Sequence, residues 1–186
     1  MSAAISILDI PVEKIDGTTT SLAEHRGKVL LIVNVASQCG FTPQYATLET
    51  LYEEKREEGL VICGFPANDF AAQEPGSNAD IQSFCETSFG VKFPMYAKIA
   101  VTGEARHPLY SELVESTPET TGDTAGLRKH LIEFGVTPTS PPEVLWNFEK
   151  FLVGRDGRVV RRFAPDVVPD DAVLKDAVEA EISRGS

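Results

Sequence analysis

The chain has 186 residues, 42% of them hydrophobic, which suits a folded domain with a substantial core and excludes disorder throughout. Its 28 acidic and 17 basic residues leave a net charge of −11, which repels phosphate backbones and anionic lipid and argues against nucleic-acid or membrane binding. No apolar run reaches the roughly 18 to 20 residues that cross a bilayer, and Met1 to Gly17 lacks a basic stretch followed by an apolar one, so the expected location is the cytoplasm.

Ile5 to Ile15, followed by Asp16-Gly17, reads as short strands with a turn. Lys28 to Ala36 (KVLLIVNVA) is a continuous, largely β-branched run, as expected of a central strand buried on both faces of a parallel sheet. Thr42-Pro43 has the pattern of a helix N-cap with proline at the first helical position, and Tyr45, Leu48, Leu51 and Tyr52 follow at helical spacing until Gly59. Leu60 to Phe65 (LVICGF) predicts a second buried strand, Pro66 to Gly76 a loop, and Ser77 or Asn78 the cap of a helix running through Ser88.

Pro94 to Ala100 is a short strand candidate, and Pro108 to Val114 a short helix. The segment 117–142, with four prolines, is the least regular, with a weak helix near Leu127 to Phe134. Val144 to Val153 reads as a strand, Gly154-Arg155-Asp156-Gly157 as a hairpin with a primed turn, and Arg158 to Phe163 as the returning strand. Asp170 to Ile182 predicts a closing helix. The order βαβαβ, then hairpin and helix, predicts a single α/β domain over 1–186, with a mixed central sheet flanked by helices in a thioredoxin-like arrangement.

Three cysteines, at 39, 63 and 85, are too few for a disulfide framework, and none has CxxC spacing. His25, His107 and His130 are scattered, which disfavours zinc. Cys63 lies within the apolar LVICGF run and reads as a buried, inert thiol. Cys39 falls between the strand and the helix start in Asn34-Val35-Ala36-Ser37-Gln38-Cys39-Gly40-Phe41-Thr42. There it is either a buried loop cysteine or a thiol activated by exposed helical N–H groups. The position three residues on is Thr42, so the disulfide-exchange motif of thioredoxin-fold oxidoreductases is missing its second cysteine. Taken alone, Trp146 reads as core, Gln73 as a solvated loop residue and Asn147 as a backbone-bonding one.

Three boxes in order change that weighting. NVASQCGFT resembles the NVAS-(U/C)-G-x-T box of the glutathione peroxidase family. Phe65-Pro66-Ala67-Asn68-Asp69-Phe70 with Gln73-Glu74-Pro75-Gly76 resembles its FPxNQFxxQEPG box, and Trp146 to Val153 its WNFxKFLV box. The resemblance spans roughly Ile10 to Ala180 and is to bacterial, cysteine-containing members. It implies a peroxidase that needs no cofactor and carries a catalytic tetrad of Cys39, Gln73, Trp146 and Asn147. In that tetrad neutral amide and indole donors hold the thiolate and the departing peroxide oxygen.

The resemblance further implies that hydrogen peroxide and organic hydroperoxides oxidise Cys39 to a sulfenic acid. Cys85, on the helix after the QEPG loop, is similar to the resolving cysteine of thioredoxin-dependent members. That similarity implies a Cys39–Cys85 disulfide recycled by thioredoxin, with loosening of 81–91 so that the sulfurs can meet. Two other readings stay open: direct reduction by glutathione, for which Cys85 is unnecessary, and a redox-sensing thioredoxin-fold binding protein. The low hydrophobicity of 117–142 favours a monomer or a weak homo-oligomer. Asp69 stands where the box usually has Gln; near a thiolate its carboxylate would raise the Cys39 pKa, and otherwise it points to solvent or caps the loop. Ala67 replaces a cysteine often found between Pro and Asn.

Overall fold

The structure is a computed structural model that describes residues 6–184. Its centre is a four-stranded sheet in the order β4-β3-β5-β6. Strand β3 (Val29–Val35) pairs in parallel with β4 (Leu60–Pro66), and every residue of β3 is buried. That full burial is what the unbroken apolar run required. Between them lies α1 (Gln44–Lys55), giving the β-α-β crossover that parallel pairing demands. On the other side of β3, β5 (Lys150–Val153) pairs antiparallel, and β6 (Val159–Phe163) follows antiparallel to β5.

The N-terminal segment differs in detail from expectation. Ile7–Asp9 forms a single 3-10 turn, and the hairpin consists of β1 (Pro11–Glu13) and β2 (Thr19–Ser21) around the Asp16-Gly17 turn. Ile5, where that expectation began, lies outside the described residues. Pro94 to Ala100 is not a strand. It makes only isolated bridges, Gly64 with Met95 and Lys14 with Tyr96, because Pro94 cannot donate to a ladder.

Helix α2 (Asn78–Phe89) begins at Ser77, whose hydroxyl accepts from Asp80 N while the Asp80 carboxylate accepts from Ser77 N, a reciprocal cap. Gly90, at φ 60°, ends it. Helices α3 (Pro108–Ser116) and α4 (Thr124–Glu133) follow, and α5 (Ala172–Arg184) closes the fold. The β5–β6 connection is a three-residue loop rather than a two-residue primed turn. Gly154 N donates to Arg158 O at 2.9 Å, and Gly157 takes the left-handed conformation at φ 83°. A cluster of buried side chains runs from Ile7 to Val178 through all four central strands.

The stretch 144–149 corrects the expected long strand. Only from Lys150 does the chain join the ladder. Before that it turns through Trp146 and Asn147, with Phe148 at φ 69°. Asn34, the polar residue inside β3, holds this turn: its Nδ2 donates to Trp146 O at 3.1 Å, and its own carbonyl accepts from Phe148 N at 2.6 Å.

Candidate active site

The loop that follows β3 is clamped by Thr42. Its hydroxyl donates to Ala36 O at 2.8 Å and accepts from Cys39 N at 2.9 Å. Thr42 therefore does not cap α1, which starts at Gln44 after Pro43; the hydroxyl is committed to the cysteine loop instead. The clamp turns the chain so that Phe41 N–H points at Cys39 Sγ, at 3.3 Å. Cys39 itself is 8% exposed.

Burial pushes the Cys39 thiol above its ordinary value, and three donors oppose it: the Phe41 backbone N–H and the Trp146 and Asn147 side chains. The backbone donor is the N–H of Phe41, in the turn before α1, so the contribution expected of helical N–H groups comes from the loop instead. Desolvation of a sulfur sunk below the surface outweighs the donors.

Gln73 comes from the loop after β4. Its carbonyl accepts from Gln38 N at 3.0 Å, tying the two loops together. Its side-chain oxygen accepts from Asn147 Nδ2 at 3.0 Å. Ala71 and Ala72, at φ 55° and 51°, precede it in the left-handed region, a strain of about 1 kcal/mol or more each. The rings of Phe70 and Trp146 pack 5.3 Å apart, which fixes the indole beside the cysteine. The fold thus brings Trp146 and Asn147 to the Cys39 sulfur, with Gln73 joined to them through the Asn147 amide.

Asp69 is a cap. Its carboxylate accepts from Val101 N at 2.6 Å and Thr102 N at 3.0 Å, and it is not among the groups that shift Cys39. In place of the usual Gln, this carboxylate closes the loop against 101–102.

Cys85 stands apart from the four. It lies in α2, 1% exposed and free, with its thiol pushed up to about 11 by burial. Cys63 is fully buried in β4, and burial pushes its thiol up to about 12, in keeping with an inert residue. Sequence reading passed over Asn34 and Thr42 as working parts. The signal for Asn34 was there, as the polar residue in an apolar strand; Thr42 offered only a false capping pattern. Among the described residues no group of His, Cys, Asp or Glu could hold a metal ion, and no helix is long and apolar enough to cross a membrane.

What the arrangement can do is narrow. A sulfur ringed by neutral hydrogen-bond donors can be held as a thiolate and can pass charge to a departing oxygen.

Comparison with known proteins agrees with that chemistry. A family model described as glutathione peroxidase matches residues 7–114. The thioredoxin/glutathione peroxidase BtuE of Escherichia coli (strain K12) is 46% identical over 180 residues, covering 96% of this chain and 98% of that protein. A hydroperoxy fatty acid reductase of Synechocystis sp. is 40% identical over 166 residues, covering 89% and 90%. The crystal structure of Trgpx in apo form has a TM-score of 0.71 at 33% identity, covering 98% of this chain and 99% of that one, so the fold is thioredoxin-like, with a mixed sheet flanked by helices. With its sulfur, its ring of neutral donors and relatives of this similarity along nearly its whole length, the chain belongs to the glutathione peroxidase family and is a peroxidase.

Proposed function

We propose that Cys39 is the attacking sulfur. The thiolate attacks one oxygen of hydrogen peroxide or an organic hydroperoxide, the O–O bond breaks, and the leaving oxygen departs as water or alcohol with the proton Cys39 gave up. Cys39 is left as a sulfenic acid. Trp146 and Asn147 hydrogen-bond the thiolate and the departing oxygen, and Gln73 orients the Asn147 amide. The observation that carries this reading is the convergence of the Phe41 N–H, the Trp146 indole and the Asn147 amide on Cys39, with Asn147 anchored to Gln73 at 3.0 Å.

Cys85 then resolves the sulfenic acid as a Cys39–Cys85 disulfide, which thioredoxin reduces; this puts the cycle in a reducing compartment, the cytoplasm. The burial of Cys85 inside α2 favours a second reading, in which glutathione attacks the sulfenic acid directly and Cys85 takes no part.

The deciding experiment treats fully reduced protein with one equivalent of hydrogen peroxide and maps the cysteines by non-reducing peptide mass spectrometry. A Cys39–Cys85 disulfide supports the two-cysteine cycle. Sulfenic acid or a glutathione adduct on Cys39 with Cys85 free supports the second reading. An unoxidised Cys39 removes it from the role of attacking sulfur.

A further inference from the structure

Asn147 sits between two peptide groups that a single residue of the sheet holds. The Trp146 carbonyl, on one side of it, accepts from Asn34 Nδ2 at 3.1 Å. The Phe148 N–H, on the other, donates to the Asn34 carbonyl at 2.6 Å. The register between β3 and β5 runs as far as Val33 opposite Lys150, so Asn34 is the first residue of β3 beyond it. There the two chains part, and Phe148 takes the left-handed conformation at φ 69°. A peptide group is planar, so fixing the group on each side of Asn147 leaves its backbone little freedom. The Asn147 side chain, which donates to Gln73 Oε1 at 3.0 Å and acts on the Cys39 sulfur, is aimed accordingly.

Stability alone does not ask for an amide at position 34. Every other residue of β3 is apolar, and the whole strand is buried. Asn34 is itself fully buried, and its Oδ1 has no hydrogen-bond partner, which costs stability. A β-branched apolar side chain suits such a strand better. What it cannot supply is a donor to the Trp146 carbonyl. The same strand also leads into the sulfur loop, which the Thr42 hydroxyl clamps at Cys39 N and Ala36 O. Nucleophile and donors are thereby referenced to one backbone.

Building on the reading of Cys39 as the attacking sulfur, we propose that Asn34 is a positioning residue for the peroxide step: by pinning the peptide group on each side of Asn147, it holds the Trp146 and Asn147 donors at the sulfur. It acts through the turn and not on the peroxide itself. The titration of Cys39 answers to burial, the Phe41 N–H and the Trp146 and Asn147 side chains, with no charged group among them, so it reports the donors directly.

The test uses Asn34→Val, which removes the side-chain donor and leaves a residue suited to a buried strand. Three readouts are taken: the pH profile of iodoacetamide alkylation at Cys39, the second-order rate of Cys39 oxidation by hydrogen peroxide, and the emission of Trp146, the single tryptophan of the chain. In the variant the alkylation profile moves to the alkaline side. The peroxide rate falls by on the order of 100-fold, the scale of a misplacement of about 1 Å. The indole, 7% exposed in the native turn, emits at longer wavelength as the turn loosens. A wild-type alkylation profile or a wild-type peroxide rate in the folded variant overturns the proposal and leaves Cys39 as the attacking sulfur. An unmoved emission overturns it too, because the turn has then stayed in place. A wild-type Cys39 that peroxide does not oxidise overturns both readings. If Asn34→Val does not fold, Asn34→Ala, which adds no volume, is read in the same way. Failure of both to fold makes Asn34 a residue of the fold alone and overturns the proposal.

Discussion

The sulfur of Cys39 sits between two opposing demands. Burial excludes bulk water and stabilises the neutral thiol, while the Phe41 N–H, Trp146 and Asn147 stabilise the thiolate. Removing a donor therefore leaves the desolvation in place and takes away its compensation. In Asn147→Ala the thiol is expected to titrate higher still, so the pH profile of iodoacetamide alkylation moves to the alkaline side. The second-order rate with hydrogen peroxide at pH 7 falls by about 100-fold, the scale of one lost oxyanion donor. A profile that does not move would mean that Asn147 acts on Gln73 alone.

Lys150 presents the opposite case, a cation in the sheet. Its ammonium donates to Pro165 O at 2.9 Å and Val167 O at 2.7 Å, and burial lowers its pKa from 10.5 to about 7, against the pull of Asp166 and Glu149. The unfolded chain thus holds a proton that the folded one releases between about pH 7 and 10.5. Stability from this group is complete above 10.5 and is lost as pH falls through about 7. Urea unfolding of the wild type should show a rise of up to about 1.4 kcal/mol per pH unit from this source across that window, absent from Lys150→Met. Equal slopes in both proteins would mean that Lys150 stays charged in the fold.

At the scale of elements, α2 is held at both ends and hides Cys85 in its middle. The Ser77–Asp80 cap closes its start, and Gly90 N–H bonds Glu86 O at its end. If Cys85 resolves the sulfenic acid as proposed, the helix has to open, and its caps should govern the step. Ser77→Ala removes about 1 kcal/mol of helix stability. Hydrogen exchange at 81–91 in the reduced protein should quicken by about 5-fold, and disulfide formation should speed up with it. Faster exchange with no gain in disulfide formation would mean that opening does not limit the step.

Legibility also divides by element. The β3 and β4 runs were readable because a strand buried on both faces is apolar at every position, and the Ser77 start of α2 was readable from its cap. The Trp146–Asn147 turn was not, because 144–153 carries the composition of a strand, and what holds it out of the ladder includes hydrogen bonds with Asn34, 112 positions before Trp146 in sequence. The tetrad came from the three boxes rather than from any local pattern.

Across the whole molecule, a buried ion pair ties the irregular segment to the sheet and, through it, to the site. Arg162 in β6 and Glu149 are 2% and 1% exposed and 2.7 Å apart. The guanidinium also donates to Thr117 O and Glu143 O, each at 3.1 Å, gripping both ends of 117–143. The other carboxylate oxygen of Glu149 accepts from Leu145 N at 3.1 Å, one residue before Trp146. Breaking such a pair from one side strands a charge in the core, which costs about 3–5 kcal/mol, whereas replacing both partners removes most of that penalty. Arg162→Met alone is therefore expected to lower the stability by that amount in urea unfolding. Arg162→Met with Glu149→Leu should cost well under the sum of the two single changes. Because Glu149 orders the backbone leading into Trp146 and Asn147, both variants should also lose peroxide reactivity at Cys39, and the double variant should regain stability without regaining the rate. If rate returned with stability, the turn would owe its geometry to Asn34 alone, and the ion pair would serve only to hold 117–143 against the sheet.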